Sequence, residues 1–306
     1  MLGLIPSKLR WQLARKVAWA RYHRDAARGH PKALAQFKRK LGYDADLTAP
    51  RSHNERILTR KLFDHDPRFV TVSDKVAARG FIDDVLGAGQ ADRLCVPILA
   101  QVGSFADLPK AIWSQDVILK CTHGSAMNCI VKAGDEAARK TAKQRIDKWL
   151  GRVHAIWRFE WSYIDLLPTL IAEPLLNTLQ MSDLKLYCYD GTVRFIEAAG
   201  IGETQSTFAY LTPDWEYLEI EMAGCPTVRF DRPSALDDIV KIATRLSAGF
   251  DTIRVDFLMA QNRFYLGELT VYDASGLGQF RSKDEDDFFG QHWRQPHLQR
   301  QITGQN

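Results

Sequence analysis

Apolar residues open the chain at helical spacing. Leu9, Leu13, Val17 and Ala20 stand on one stripe, with Trp11, Trp19 and Tyr22 adding aromatic rings, and this pattern predicts an amphipathic helix. Helical texture fills residues 1–48 and resumes over 54–87 as one or two helices. Ser73-Asp74 is placed to cap a helix that begins Lys75-Val76-Ala77-Ala78-Arg79. The period then shortens. Residues 96–99, 116–120 and 129–131 read as short strands, the last two around a loop, His123-Gly124-Ser125-Ala126. Residues 135–151 read as a helix ending near Gly151, and 169–173 as a buried strand halted by Pro174. Residues 184–189 and 192–198 flank Asp190-Gly191, a hairpin signal. A helix over 233–249 leads into strands over 251–259 and 263–272 around Gln261-Asn262. Helices followed by strands mixed with hairpins predict an α+β body with antiparallel sheets, not a doubly wound parallel one. Trp149, Trp157 and Trp161 read as core positions of a helical segment rather than a sugar-stacking platform, and Asp284-Glu285-Asp286-Asp287 as a solvated turn.

Charge adds an asymmetry. The net charge of the 306 residues is +4, but residues 1–42 hold eleven Lys or Arg and one acid, Asp25. A basic helix of this kind either docks on its own protein with a solvated back or lies on an anionic membrane surface. A nucleic-acid surface would want aromatic platforms or a recognisable reading fold, and neither appears, so no nucleic-acid partner is expected. Apolar residues at 45% and charged residues at 25% exclude a disordered or disulfide-stapled chain. No apolar run spans a bilayer and no secretory leader is visible. Five cysteines without tight pairing, Cys95, Cys121, Cys129, Cys188 and Cys225, point to a reducing compartment. The expected location is the cytoplasm, with peripheral contact at the inner face of the plasma membrane through residues 1–42.

The richest chemistry lies in Ile253-Arg254-Val255-Asp256-Phe257 and Leu266-Gly267-Glu268-Leu269-Thr270. Alternation puts Arg254 with Asp256, and Glu268 with Thr270, on one face of their strands. Two carboxylates beside a guanidinium suit Mg²⁺ and a phosphate, or else form an internal ion-pair network. Parity decides whether they can meet. A two-residue loop at Gln261-Asn262 pairs residues whose numbers sum to 523 and sets Asp256 against Gly267. Asp256 faces Glu268 only if the sum is 524, through an odd loop centred on Asn262 or an extra residue held as a bulge. In that register Arg254 meets Thr270, while Val255 and Leu269 turn to an apolar face. Lys120, before the Gly-Ser loop, adds a point charge beside backbone groups able to approach phosphate oxygens. His123 reads equally as a phosphate-orienting group or a structural histidine.

These residues fall in an order that resembles the ATP-grasp superfamily, and more narrowly the teichuronopeptide-biosynthesis TupA-like ATP-grasp proteins of bacterial polysaccharide loci. The resemblance runs from about residue 35 to 290. It rests on Asn54-Glu55-Arg56-Ile57, Ser73-Asp74-Lys75 with Arg79, Leu119-Lys120 with His123-Gly124-Ser125, Ile171-Ala172-Glu173, Asp183-Leu184-Lys185, Arg254-Val255-Asp256, and Gly267-Glu268-Leu269-Thr270 with Ser275-Gly276. It implies an ATP-grasp fold, in which two antiparallel-sheet subdomains clamp ATP behind a basic helical N-terminal region. The divisions would be 1–95 for that region, 96–173 for the lid-bearing subdomain and 174–306 for the metal-site subdomain. Lys75 and Lys120 would contact phosphates, Gly124, Ser125 and Ala126 would close over them, and Arg254 would sit on the γ-phosphate. Glu173 would open the hinge strand, with backbone groups of Pro174 and Leu176 at the adenine edge. Asp183 and Lys185 would lie near nucleotide or acceptor. Asp256, Glu268 and Thr270 would hold Mg²⁺. Thr270 departs from the Asn common in ATP-grasp ligases, and Ala126 from a Gly frequent in the narrower group.

The reaction so implied joins a small-molecule or glycan carboxylate to an amine through an acyl phosphate, in surface-polysaccharide or glycopeptide synthesis. Arg254 and Lys120 would be its catalytic cations. Two alternatives stand beside this ligase: a kinase on the same fold that phosphorylates a sugar hydroxyl, and a non-catalytic nucleotide-binding scaffold.

Overall fold

The computed structural model describes residues 6–154, 156–201, 206–221, 226–260, 263–295 and 298. The basic N-terminal segment forms α1 (Ser7–Ala26) and α2 (Pro31–Leu41), followed by α3 (His53–Phe63), α4 (Arg68–Ser73), α5 (Ala77–Leu86) and α6 (Gln90–Leu94). Where one or two helices were expected over 54–87 there are thus three. Asp74 accepts from the backbone N–H groups of Val76 and Ala77, so the helix starts after Lys75 and leaves Lys75 in the turn before it. The expected strand over 96–99 is absent, and pairing begins one step later at β1 (Ala100–Val102).

β1, β2 (Val117–Cys121), β3 (Asn128–Val131) and β4 (Leu170–Pro174) form an antiparallel sheet in the order β1-β4-β2-β3. Between β3 and β4 lies α7 (Glu136–Trp149), capped by the Asp135 carboxylate. Alternation along β2 sends Val117, Leu119 and Cys121 into a core shared with Ala142, Ile146 and Leu150. The opposite face carries Ile118 and Lys120, with Ile171 and Glu173 directly across on β4. The helix ends at Trp149, so the three tryptophans do not share a helical face. Trp161 is buried, but Trp157 is 63% exposed, which corrects the core reading for that residue.

The second sheet is larger. β5 (Thr178–Tyr189), β6 (Thr192–Ile201), β7 (Ser206–Leu211), β8 (Thr252–Ala260) and β9 (Arg263–Thr270) pair antiparallel in the order β7-β6-β5-β8-β9. The β5–β6 turn is Asp190-Gly191, both with positive φ, as a tight hairpin requires. β7 carries no clear sequence signal and was not expected. One face of the sheet, with Leu184, Leu186, Ile196, Val255 and Phe257, packs on α8 (Leu236–Ser247) through Leu236, Ile239, Ala243 and Leu246. The other face looks toward the small sheet.

The acidic run is not a solvated turn. It opens α9 (Lys283–Gly290), whose first turn is capped by Ser282, and Glu285 and Asp286 are buried. Asp286 accepts from the backbone and side-chain amides of Asn54 and from Tyr43. Asn54 also pairs both ways with the Gly278 backbone. The Asn54-Glu55 motif is therefore structural: Ser52 and Glu55 complete a capping box on α3, while Asn54 ties that helix to the chain leaving β9.

Candidate active site

Register across the large sheet lines up one transverse row. Tyr210 faces Glu197, Glu197 faces Lys185, Lys185 faces Asp256 and Asp256 faces Glu268. The adjacent row holds Tyr187, Arg254 and Thr270. Asp256 and Glu268 thus share a face, as parity demands for a common ligand. The route is the bulge: Ala260 still faces Arg263 and Phe257 faces Leu266, while Asp256 faces Glu268. The extra residue is Gly267. An odd loop is not what shifts the register, and Gln261 and Asn262 themselves lie outside the described residues. The bulge lets Leu266 enter the core while Glu268, two positions on, faces the site. A Cβ at Gly267 would approach the Asp256 carbonyl to 3.3 Å and Leu258 Cγ to 3.5 Å, so the bulge is packed against the opposite strand.

Across the cleft, Lys120 donates to Glu173 at 2.6 Å. Lys75 donates to the Gly124 carbonyl at 3.1 Å and lies 3.6 Å from Glu268. Gly124 is needed for close approach, since a Cβ there would meet His154 and Met127 at 2.6 Å. Ala126 holds φ 56°, the left-handed region where an L-residue costs about 1–2 kcal/mol and where a glycine would be unstrained. Pro174 ends β4 opposite Val117, and Leu176 lies in the short passage between the two sheets. A cleft of about 340 Å³ is lined by Lys75, Lys120, Ser125, Ala126, Asp183, Lys185, Arg254, Asp256 and Glu268, together with Met127, Asn128, Leu258 and Gly267. Of the sequence candidates, Gly124, Glu173, Pro174, Leu176 and Thr270 stand beside it rather than in its lining.

Charges in the cleft are mutually compensated. Arg254 donates to both Asp256 oxygens, at 2.7 and 2.6 Å, and to Asp273. Lys185 pairs with Glu197 at 2.6 Å, and Tyr187 and Tyr210 both donate to the other Glu197 oxygen. Burial pushes Asp256 up to about 6 against the pull of Arg254. For Glu268 burial also acts upward, but Lys75 and Arg254 prevail and its carboxyl lies below the ordinary range. Asp273 is likewise desolvated, yet Arg254 and His53 hold it well below. Burial brings His123 down to about 4, and its Nε2 meets the Trp149 carbonyl at 3.1 Å. Its ring is fully buried beneath the loop, which favours the structural reading of this histidine.

Glu197, Tyr187, Tyr210, Asp273 and His53 escaped the sequence reading. Glu197 had a signal, a lone carboxylate between Ile196 and Ala198. Asp273 and His53 had none, because only the chain path around Asp273–Gly276 brings Asp273 to Arg254 and His53 to Asp273.

The donor set fits Mg²⁺. Among the described residues no cluster of three His, Cys, Asp or Glu side chains forms a metal cage. Two facing carboxylates, with the Thr270 hydroxyl 3.4 Å from Asp256 and 3.3 Å from Glu268, are hard oxygen donors for a cation that keeps waters and shares phosphate oxygens.

Among solved structures, the chain is similar to D-alanine–D-alanine ligase from Bacillus anthracis complexed with ATP, at 11% identity over 66% of this chain and 55% of that one, TM-score 0.41. It is similar to an L-amino acid ligase from Bacillus licheniformis at 15% identity over 68% and 42%, TM-score 0.41. It is similar also to the ATP-grasp ligase PsnB with minimal precursor, Mg and ADP, at 17% identity over 67% and 52%, TM-score 0.37. The chain spans about half the length of these ligases. No curated protein sequence matches it. The model of the TupA-like ATP-grasp family matches residues 55–294, a span that takes in most of α3, both sheets, the Gly-Ser loop and the facing carboxylates. With two antiparallel sheets around a cleft of lysines, arginine and paired acids, this chain belongs to the TupA-like ATP-grasp family.

Proposed function

We propose that the protein is an ATP-dependent carboxylate–amine ligase, acting on the cytoplasmic side of the membrane in bacterial surface-polysaccharide or glycopeptide synthesis. The observation that carries this reading is the facing pair Asp256 and Glu268 with Arg254 beside it, set across one cleft from Lys75 and Lys120. The three-part division at residues 95/96 and 173/174 is part of the same proposal.

The chain supplies charge and position, and no protein nucleophile. Lys75 and Lys120 bind phosphate oxygens, and the loop of Gly124, Ser125 and Ala126 excludes water from a hydrolysable intermediate. Asp256 and Glu268, with Thr270, would hold Mg²⁺, which when bound would supply positive charge to offset that of the phosphates. Arg254 stabilises the transferring phosphoryl group and is kept on station by Asp273. A substrate carboxylate oxygen attacks the γ-phosphorus as the bond to ADP breaks. The amine nitrogen then attacks the acyl carbon, the bond to phosphate breaks, and the nitrogen's proton leaves with the departing phosphate. Glu173, Pro174 and Leu176 border the adenine, and Asp183 and Lys185 line the remaining wall. A uronic-acid carboxylate and an amino-acid amine are the proposed substrates.

The test is incubation with Mg²⁺, ATP and a panel of uronic acids and amino acids, read by mass spectrometry. ADP, phosphate and a condensed amide support the ligase. ADP with a phosphorylated sugar replaces it with a kinase, and ATP bound without turnover leaves a non-catalytic nucleotide-binding scaffold.

A further inference from the structure

α1 is apolar on two opposite sides. Its inner side, with Trp11, Ala18 and Tyr22 buried and Ala14 partly so, packs on the body. That docking is fixed by polar ties as well. Arg10 donates to the Asp147 carbonyl, Arg15 and Trp19 to Asp165, and Tyr22 to the Lys61 carbonyl. At 100° per residue, Leu9, Leu13, Val17 and Ala20 fall on the opposite side. They face outward, with Leu9 at 47%, Leu13 at 52% and Val17 at 53% exposure. The stripe that marks this helix in the sequence is therefore not the one it docks with.

The outer stripe sits in cationic surroundings. Lys8, Lys16, Arg24 and Arg28 are exposed on α1 and just past it, and Lys32, Arg39 and Lys40 on α2. Beside the stripe, Arg21 lies over the exposed Trp157 ring, 3.3 Å from its centroid. The one acid of residues 1–42, Asp25, is buried and accepts from the backbone N–H groups of Lys32 and Ala33. Nothing negative from this segment reaches its surface. A rigid row of leucine and valine bordered by lysine and arginine, with an aromatic ring at its edge, matches the water–acyl boundary of an anionic bilayer. No described helix is long and apolar enough to cross a membrane, so the fit is to lying on one.

We propose that the outer face of α1 docks the protein on an anionic lipid surface, with Leu9, Leu13 and Val17 entering the headgroup–acyl boundary and the surrounding cations meeting lipid phosphates. This does not depend on the ligase reading. The test is co-sedimentation of the full chain with phosphatidylglycerol–phosphatidylcholine vesicles and with phosphatidylcholine alone. Binding to the anionic vesicles is expected to fall with rising salt. Leu13→Glu with Val17→Glu is expected to weaken it about tenfold or more, with circular dichroism unchanged because both residues are exposed. Lys16→Glu with Arg24→Glu is expected to weaken anionic binding while leaving the residual neutral binding unaltered. The proposal is overturned by equal binding to both vesicle types, by no binding, or by leucine–valine variants that bind like wild type. It is also overturned if the protein is a solution dimer that Val17→Glu splits, for then the face belongs to a second copy.

Discussion

At the level of single residues the site is a set of charges held in check by one another. Asp256 is paired with Arg254, and Glu268 with Lys75, so each carboxylate has a cation partner within the chain. Asp256→Asn and Glu268→Gln keep shape and remove one anionic oxygen ligand each. Either is expected to lower Mg²⁺-dependent ATP turnover by about 100-fold or more, with little change in unfolding midpoint. Wild-type turnover in both variants would remove the metal assignment. Thr270 brings a hydroxyl where two carboxylates already meet, so Thr270→Val is expected to weaken the apparent Mg²⁺ affinity more than the maximal rate. A metal titration of turnover separates the two.

Elements place these residues, and two devices matter most. The first is the bulge at Gly267. Its Cβ position lies 3.3 Å from a backbone carbonyl of the partner strand, so a branched side chain must push the strands apart. Gly267→Val is expected to cost about 1–3 kcal/mol in urea unfolding and to lower ATP turnover, by displacing Glu268 from Asp256. Unchanged turnover would mean that the spacing of the two carboxylates is not needed. The second device is the Asn54–Asp286 tie. Asn54→Ala removes bonds to Asp286 and to the Gly278 backbone, leaving buried partners unsatisfied, and is expected to cost about 3 kcal/mol. Chemical denaturation measures that directly.

For the whole molecule, acid is the informative variable. Burial brings both His123 and His154, beneath the Gly-Ser loop, from near 6.5 to about 4. Between those values the unfolded chain takes up two protons that the native one refuses, so stability falls as pH falls from 6.5 toward 4. Asp256, raised to about 6, works the other way, since the native state there binds a proton that the unfolded state releases. His30 and His292 are lowered by burial as well and Glu160 is raised, so four histidines stand against two carboxyls and the expected balance is a loss of stability between pH 7 and pH 5. Urea midpoints at the two values, with EDTA present, check the sign, and an unchanged or rising midpoint at pH 5 would contradict it.

Strand content, the Asp190-Gly191 turn and the shared face of Arg254 and Asp256 were legible in the sequence, because alternation and turn chemistry act over a few residues. Parity even reduced the β8–β9 pairing to two possibilities. Which one holds was settled by the fold, since the alternative to a loop change was an extra residue anywhere along β9, and only packing of Leu266 into the core puts it at Gly267. The face of α1 was undecided for a similar reason. Period shows that apolar residues share a side, but α1 has two such sides, and the body fits Trp11, Ala18 and Tyr22. Asp286 read as solvated because its partner Asn54 stands 232 positions away, and Glu197, Asp273 and His53 meet only through strand order and the chain path after β9. Local rules assign what a residue can do. Long-range contact decides what stands opposite it, and for a buried charge that partner determines whether it serves as ligand, cap or support.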